Sequence, residues 1–402
     1  MTTLRFCFPT TFYPPYSFGG DAIAVRRLAR ALVRRGHEVT VVHDIDAFAA
    51  VSGGHAADLH APHDGVEVIG LHSSLGRLSP LLAQQTGKAT VHEATLTKLF
   101  GSRRFDVVNF HNASLIGGPG IFSIPTSATR VYTAHEHWLI CPTHVLWRHK
   151  REVCRSRECI RCQLRYHRPP QLWRYSSSYK KMLGCIDLFI AMSEFSRLKH
   201  KEFGFSEEMS VLPPFSDEPE YEDNHVRHPR PYFFFAGRLE QIKGLQTVLP
   251  VLTQVPEVDL IVAGEGSFRG ELMKLSGPQV KFLGLVDPKR LCSLYRNAIA
   301  TIVPSVTYET FGLTVVESFA AGTPVIARRL GPLPDIVGNC EGGLLFANDS
   351  ELVDALRRLA REESLRARLA ANARKGFEEC WSESAVVPRY IELVESAERK
   401  PR

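Results

Sequence analysis

The sequence predicts an α/β protein with two doubly wound domains that face each other across a cleft. Its 402 residues exceed what one ordinary core accommodates and suit two domains of average size. Short, nearly continuous apolar runs alternate with helical runs in two successive series, a pattern typical of parallel strands covered on both faces. An acidic, proline-bearing and aperiodic stretch, residues 216–231, separates the two series and is predicted to be a linker.

The first series predicts an N-terminal domain over residues 1–215. A short apolar strand at Leu4–Pro9 leads through a Pro/Tyr-rich loop into a helix at Ala22–Arg35, which Gly36 ends. That helix is expected to bury one face made of Ile23, Leu28, Ala31 and Leu32. Further strands are predicted at Val39–Val42, Val66–Leu71, Asp106–Phe110, Arg130–Thr133, Asp187–Met192 and Val211–Pro214.

The second series predicts a C-terminal domain over residues 232–378, followed by a helical segment, 379–402, that packs back on the N-terminal domain. The predicted strands are Tyr232–Ala236, Val258–Ala263, Val280–Leu283, Ala300–Val303, Pro324–Ala327 and Gly343–Phe346. The predicted helices are Gly244–Val255, Pro288–Asn297, Thr310–Ala321 and Glu351–Glu362.

Charge and hydropathy narrow the function classes. A net charge of +6 is a mild basic bias without the clustered basic stripe of a nucleic-acid-binding protein, so no nucleic-acid partner is expected. The first residues carry no apolar signal segment, and no long uninterrupted apolar run is present. A cytoplasmic location is therefore predicted, with peripheral membrane contact left open.

Two glutamates frame the most informative segment. Glu309 is expected in a loop at the carboxyl end of a strand, and Glu317 in the second turn of the helix that follows. Between them, Thr310, Phe311, Gly312 and Leu313 are predicted to form the first helical turn, whose free amides can bind an anion. A carboxylate suits the paired hydroxyls of a ribose, so the segment predicts a nucleotide site.

A second motif follows the first strand of the C-terminal series. Gly237 lets a ligand approach the backbone, Arg238 can contact phosphate with two donors, and Lys243 adds a point charge. Two cations next to a helix start suit a diphosphate. Glycine turns also follow other strands, at Gly19-Gly20 and at Gly264-Glu265-Gly266, although glycine turns alone are weak signals.

Taken together these motifs resemble glycosyltransferase family 4, a group of enzymes with the GT-B fold, and the likeness covers nearly the whole chain apart from residues 138–175. The resemblance implies a retaining hexosyltransferase that takes a sugar from a UDP- or GDP-type donor held by the C-terminal domain. The acceptor is not identified by the sequence; a small molecule, a glycan, a lipid and a natural-product scaffold all stay open. The implied donor-binding residues are Gly19, Gly20, Gly237, Gly264, Glu265, Gly266, Thr310, Phe311, Gly312, Leu313 and Glu317.

The resemblance also implies catalytic roles. Arg238 and Lys243 would neutralise the leaving diphosphate, so no catalytic metal is expected. Glu309 would lie near the donor sugar. His135, which follows a predicted strand, matches the family's histidine and would contact the sugar near the reacting centre; His111 is a weaker candidate.

Two other interpretations remain. One is a different activity on the same fold, such as a nucleotide-sugar epimerase or a phosphorylase, although no lysine stands out for the pyridoxal phosphate that a phosphorylase normally needs. The other is a non-catalytic binding protein. Such a protein is expected to have lost donor-binding residues, whereas Arg238, Lys243, Glu309 and Glu317 are all present.

Four of the nine cysteines fall in one strongly basic insert, residues 138–175. Cys141, Cys154, Cys159 and Cys162 suit a closed tetrahedral zinc site with a structural role. A metal would also supply folding energy to a segment with few apolar residues. An iron–sulfur cluster needs the same number of ligands, and four ordinary reduced thiols are the remaining alternative.

Overall fold

The computed structural model describes residues 3–17, 19–51, 64–222 and 228–400. The chain divides into two units, each with its own parallel sheet. The first comprises Met1–Lys150, Cys154–Pro213 and Val387–Arg402, and the second comprises Arg151–Val153 and Pro214–Val386. Part of the predicted linker, residues 223–227, lies outside the described residues, and the part before it belongs to the second unit.

The first unit is built on a seven-stranded sheet with the order β3-β2-β1-β4-β5-β8-β9. Every neighbouring pair is parallel. A separate two-stranded sheet joins β6 to β7. The strands of this unit are β1 (Arg5–Pro9), β2 (Glu38–Asp44), β3 (Glu67–Leu71), β4 (Val107–Phe110), β5 (Thr129–Ala134), β6 (Trp147–Arg148), β8 (Leu188–Ala191) and β9 (Met209–Val211), whereas β7 (Glu152–Val153) lies in the short stretch that is grouped with the second unit.

The helices of this unit are α1 (Gly20–Arg34), α2 (Ile45–Val51), α3 (Leu78–Thr86), α4 (Glu93–Ser102), α5 (Cys159–Arg165), α6 (Ser177–Leu183) and α7 (Glu194–Glu202). Two 3-10 turns lie at Gly118–Ser123 and Leu172–Tyr175.

The prediction for the buried face of α1 was partly wrong. Ala31 and Leu32 are buried as expected, but Ile23 is 44% exposed. The buried positions Ala22, Val25 and Leu32 recur at helical spacing, and Ile23 stands about 100° around the helix from Ala22.

The second unit has a six-stranded parallel sheet with the order β12-β11-β10-β13-β14-β15, which repeats the strand order of the first unit. Two doubly wound domains are thereby confirmed. The strands are β10 (Tyr232–Ala236), β11 (Asp259–Ala263), β12 (Val280–Gly284), β13 (Thr301–Val303), β14 (Val325–Arg328) and β15 (Gly343–Phe346). The helices are α8 (Leu249–Leu252), α9 (Arg269–Leu275), α10 (Pro288–Asn297), α11 (Leu313–Ala320), α12 (Leu333–Cys340), α13 (Asp349–Arg361), α14 (Glu363–Gly376) and α15 (Glu383–Ser396).

Strand β10 shows why the sheet needs helices on both faces. Phe233 and Phe235 are buried in one apolar cluster, whereas Tyr232 and Phe234 are buried in another that includes Tyr295 of α10. Because successive side chains of a strand point to opposite faces, a run of four aromatic residues is stable only when both faces are covered.

Several elements differ from the sequence predictions, and α9 and α12 are among the helices that were not predicted. The helix predicted at Gly244–Val255 is reduced to a 3-10 turn and the short α8, because Gly244 is left-handed (φ 76°) and Pro250 lacks an amide hydrogen. Helix α14 was not predicted, since its alanine- and arginine-rich sequence has little apolar periodicity. The C-terminal helix α15 passes from the second unit to the first at Val387. There Tyr390 is buried and accepts a hydrogen bond from Asn109 Nδ2 at 2.9 Å. Within the described ranges, none of these helices is long and apolar enough to cross a membrane.

Candidate active site

In the second unit, the loops that follow β10, β11 and β13 interlock at one edge of the sheet. Gly237 N donates to Ala263 O at 3.1 Å and Leu239 N donates to Glu265 O at 2.9 Å, which joins the first loop to the second. Val306 N donates to Ile242 O at 2.9 Å, which joins the first loop to the third. The strand order reverses between β10 and β13, so this edge is the place where open parallel sheets bind ligands.

Glycines make this close packing possible. A Cβ on Gly264 would lie 2.0 Å from Gly237 O, one on Gly266 would lie 2.3 Å from Leu239 O, and one on Gly244 would lie 2.0 Å from Pro304 O. Gly237 differs: its φ of 150° favours glycine, but a Cβ there would meet nothing closer than 3.9 Å. Gly264 and Gly266 therefore serve loop packing, and Gly237 leaves the backbone approachable.

Lys243 and Glu309 meet where these loops join. Lys243 Nζ donates to Glu309 Oε1 at 2.7 Å, and Ser305 Oγ donates to the same oxygen, also at 2.7 Å. The two charged side chains are only 26% and 21% exposed. Lys243 ends the 3-10 turn Gln241–Lys243 and Glu309 lies in the loop after β13, so the packing of the two loops creates the pair.

The carboxylate of Glu309 is held in its charged form. Desolvation by burial acts to raise its pKa, but the positive charge of Lys243 and the hydrogen bonds from Lys243 and Ser305 act in the opposite direction. The more distant charge of Arg238 adds to them. The balance leaves the pKa of Glu309 below its ordinary value, so an ionised carboxylate and an ammonium group coexist here.

Arg238 and Glu317 complete the charged groups of this edge. Arg238 is 51% exposed, and its Nη1 donates to Glu240 Oε1 at 2.8 Å. Glu317, in the second turn of α11, accepts a hydrogen bond from Tyr295 Oη at 3.3 Å through Oε2. Neither Ser305 nor Tyr295 was predicted to contact a site carboxylate. Ser305 lies four residues before Glu309, but the position of Tyr295 depends on the packing of α10 against α11.

The segment between the two glutamates corrects one expectation. Helix α11 starts at Leu313, so Thr310, Phe311 and Gly312 precede the helix instead of forming its first turn. Gly312 has φ 132°, and Phe311 is buried. A Cβ on Gly312 would lie 2.9 Å from Leu333 Cδ2, so glycine permits both this turn and the close approach of α12.

In the first unit, two histidines follow neighbouring strands at the corresponding sheet edge. His111 follows β4 and His135 follows β5, and His111 Nδ1 lies 2.8 Å from His135 Nε2 in a hydrogen bond. Burial lowers the pKa of His135 to about 4 and the pKa of His111 well below its ordinary value, and the neighbouring His135 ring lowers the pKa of His111 further. Both imidazoles are therefore neutral near pH 7.

The glycines Gly19 and Gly20 lie at the start of α1, where Gly19 adopts φ 116°. The first helical turn is tied to the loop after β4, since Asn112 Nδ2 donates to Asp21 Oδ2 at 3.1 Å. Asp21 also acts on His135 by charge, partly opposing the desolvation that lowers its pKa. Gly19, Gly20 and His135 thus belong to one region of the first unit.

The four clustered cysteines line a common pocket in the first unit. Cys141 is buried, whereas Cys154, Cys159 and Cys162 are partly exposed, and none forms a disulfide. The insert buries more apolar side chains than its composition predicted, because its first ten residues pack into the first unit. The buried side chains among them are Trp138, Leu139, Ile140, Cys141, Leu146 and Trp147.

Comparison with known proteins matches this chain to two glycosyltransferase family models and to other glycosyltransferases. Residues 18–220 match the model described as Glycosyltransferase Family 4, and residues 217–376 match the one described as Glycosyl transferases group 1. An uncharacterized glycosyltransferase of Methanocaldococcus jannaschii is 23% identical, over 94% of this chain and 95% of that protein. The phosphatidyl-myo-inositol mannosyltransferase of Mycolicibacterium smegmatis is 26% identical, over 95% and 93%.

Solved structures share the fold. HepE of Anabaena, crystallised in complex with UDP-glucose, superposes with a TM-score of 0.68 at 18% identity, covering 98% of this chain and 100% of that one. The two-sheet architecture is that of GT-B glycosyltransferases, and the first family model alone spans half of the sequence. The chain therefore belongs to glycosyltransferase family 4 and is a glycosyltransferase.

Proposed function

We propose that this glycosyltransferase moves a sugar from a UDP- or GDP-type donor to an acceptor and retains the configuration of the anomeric carbon. One observation carries the donor assignment: an ionised lysine–glutamate pair lies at the junction of three loops that glycines hold together. HepE, of the same fold, binds UDP-glucose. A charged pair that is largely shielded from water is suited to a ligand that itself carries both charge and hydroxyl groups.

In this proposal Arg238 and Lys243 stabilise the leaving diphosphate. Arg238 is half exposed and donates to Glu240 through Nη1, so its other donors can reach phosphate oxygens. Lys243 can share its ammonium between Glu309 and a phosphate, since an ammonium has three donors. Two fixed cations remove the need for a metal, so transfer is expected to proceed without added magnesium or manganese.

Glu317 and Glu309 are proposed to bind the two ends of the donor. Glu317 would accept hydrogen bonds from the ribose hydroxyls, with Tyr295 holding its Oε2. Glu309 would accept from a hydroxyl of the transferred sugar. Its Oε1 is already bonded to Lys243 and Ser305, and its lowered pKa makes it a weaker nucleophile, so a covalent glycosyl–Glu309 intermediate is not part of the proposal.

His135 is proposed to contact the donor sugar as a neutral hydrogen-bonding group. A neutral imidazole next to an anomeric carbon that gains positive charge avoids the repulsion that an imidazolium would cause. Its partner His111 is buried, so it orients the ring without competing for the sugar. The proposed course is a displacement on one face of the sugar, and the anomeric configuration of the first-formed product, read by NMR, tests it.

A donor panel tests the substrate class. UDP- and GDP-sugars are to be compared for thermal stabilisation and for transfer or slow hydrolysis. At about 100 times its dissociation constant, a true donor is expected to stabilise the protein by about 2.7 kcal/mol. Hydrolysis to free sugar and nucleoside diphosphate supports a transferase. Conversion of one nucleotide-sugar to another without release would instead support an epimerase.

A lipid-associated acceptor is supported by a surface of the first unit. Leu78, Leu81 and Leu82 of α3 are more than 40% exposed, as are Leu172 and Tyr175 of the 3-10 turn that contacts α3 through Trp173. The same turn packs against α6, which carries the exposed cations Lys180 and Lys181. Exposed leucines bordered by lysines suit the surface of an anionic membrane, so we propose that this surface rests on one.

A further inference from the structure

We propose that Cys141, Cys154, Cys159 and Cys162 bind one zinc ion that has a structural role in the first unit. The four thiols come from separate points of the insert and line one pocket. Cys159 and Cys162 are one helical turn apart at the start of α5, Cys154 follows β7, and Cys141 lies in the buried loop after β5. Four sulfur donors around one space match a closed zinc site.

The pocket also offers the surroundings that thiolates need. His149 N donates a hydrogen bond to Cys162 Sγ at 3.4 Å, and Cys141 Sγ lies 3.3 Å from Thr143 Oγ1. A zinc ion with four thiolates carries a net charge of about −2, which a nearby cation offsets, and Arg148 is among the residues that line the pocket. The basic composition of the insert thus has an electrostatic purpose.

The backbone of the insert adopts several conformations that its surroundings must fix. His144, Leu146, His149 and Lys150 all adopt left-handed conformations, with φ between 48° and 74°. Such conformations are costly for residues other than glycine and persist only where the surroundings fix them. Coordination to metal supplies stabilisation of this kind, because the free energy of binding is available only in the folded arrangement.

The sulfurs must draw together to bind an ion. In a tetrahedral site with bonds of about 2.3 Å, sulfurs lie about 3.8 Å apart. Among the described residues, the three ligand atoms that already lie within 4.8 Å of one another belong instead to Asp44, Asp46 and His92. Asp44 Oδ1 accepts from Ala47 N and Asp46 accepts from the backbone and hydroxyl of Ser73, whereas Asp44 Oδ2, 3.6 Å from His92 Nε2, has no hydrogen-bond partner in the described part of the chain.

The zinc site would fix the loop that follows His135. Cys141 N donates to His137 O at 2.8 Å, His137 N donates to His144 O at 3.0 Å, and His144 Nδ1 bonds to Glu136 Oε1 at 2.7 Å. These contacts fold the loop tightly between His135 and the first sulfur ligand. The consequence for activity rests on the proposed function of His135, whereas the presence of the metal does not.

Metal analysis of the full chain tests the site directly. Protein purified without chelator is expected to contain about one zinc per chain, and Cys154→Ser and Cys162→Ser are each expected to lose it. Cys185→Ser is the matched control, because Cys185 is a partly exposed thiol of the same unit outside the cluster, and it is expected to keep the metal. Cobalt substituted for zinc should show the strong thiolate-to-metal absorption of a four-sulfur site, absent in Cys154→Ser.

If the serine variants do not fold, the wild-type protein still decides the question. Mercurial modification of its thiols should release one zinc per chain into a metallochromic indicator. No zinc, with all nine thiols titrating freely, would overturn the proposal, as would iron with visible absorbance or zinc retained by Cys154→Ser. Nucleotide binding by the second unit, measured on the same samples, reports on the proposed donor site separately, so the two can fail independently.

Discussion

The two units repeat one strand order but use the carboxyl edges of their sheets differently. In the second unit, glycine-bearing loops bring Lys243 and Glu309 together as charged groups, and burial fails to neutralise Glu309 because the lysine stands 2.7 Å away. In the first unit, desolvation lowers the pKa of the buried histidines, so the hydrogen-bonded pair His111–His135 stays uncharged. The same architecture thus supports a polar, charged edge and a neutral one, and the outcome depends on whether a counter-charge is within hydrogen-bonding distance.

Substitutions at the charged edge of the second unit are expected to have the largest effect on activity. Lys243→Ala and Arg238→Ala are each expected to lower kcat/KM at least about a hundredfold with the fold retained, since one lost donor to a developing anion costs about 3 kcal/mol. Steady-state kinetics with the identified donor, together with circular dichroism, checks this.

Lys274→Ala is the matched control for Lys243→Ala. Lys274 Nζ also contacts a glutamate, Glu271, at 2.7 Å, but the pair is exposed on α9. Removing it is expected to leave turnover unchanged. Near-normal turnover in both Lys243→Ala and Arg238→Ala would contradict the diphosphate assignment.

Glu317→Ala separates binding from chemistry within the same edge. A ribose contact acts equally in the ground state and the transition state, so KM for the donor should rise about tenfold while kcat changes little. Glu271→Ala, on the exposed surface of the same unit, should change neither. A large fall in kcat at saturating donor would instead put Glu317 at the reacting centre.

The proposed membrane surface belongs to the first unit alone. Leu78→Glu and Leu81→Glu are expected to reduce co-sedimentation with anionic vesicles several-fold, because each places a carboxylate where an apolar side chain meets lipid. Leu275→Glu changes a similarly exposed leucine of the second unit and should have no effect. Equal binding of all three variants, or binding to neutral vesicles only, would contradict the proposal that this surface binds an anionic membrane.

The neutral edge predicts a pH dependence of stability. The pKa of His135 is about 4 in the folded protein and about 6.5 in an unfolded chain, so the unfolded state binds the extra proton between these values. The free energy of unfolding should therefore decrease as the pH falls from 6.5 towards 4, by up to about 1.4 kcal/mol per pH unit from this residue.

Urea unfolding at pH 5 and pH 7 measures the effect. His135→Asn should lose part of the difference between the two pH values. His167→Asn should not, because His167 is exposed and its left-handed backbone suits asparagine. The same pH dependence in His135→Asn and wild type would mean that His135 is charged in the folded protein.

The positions of the charged residues in the second unit could be predicted from the sequence better than the packing of the insert in the first unit, for a physical reason. The charged residues follow strand ends, and strand ends can be located from apolar periodicity; these residues are Arg238, Lys243, Glu309 and Glu317. The packing function of Gly264 and Gly266 could not be predicted, because it depends on a carbonyl of a neighbouring loop.

Other features depend on contacts distant in sequence. The hydrogen bond between His111 and His135 joins residues 24 positions apart, and that from Tyr295 to Glu317 joins residues 22 positions apart. Both hydrogen bonds depend on which strands and helices are neighbours in space, and that spatial order cannot be determined from a single sequence. The partial burial of the insert could not be predicted for the same reason. Its composition is basic, but Trp138 and Leu146 are buried by packing within the first unit.

Isothermal titration of nucleoside diphosphates is the most direct test of the proposed donor site at Lys243. UDP and GDP are to be titrated into the wild-type protein, Lys243→Ala and Lys274→Ala without added divalent metal. We expect one of the two nucleotides to bind the wild type and Lys274→Ala at one site per chain, and to bind Lys243→Ala at least about tenfold more weakly. Equal affinity in all three proteins, or no binding of either nucleotide to the wild type, would contradict it.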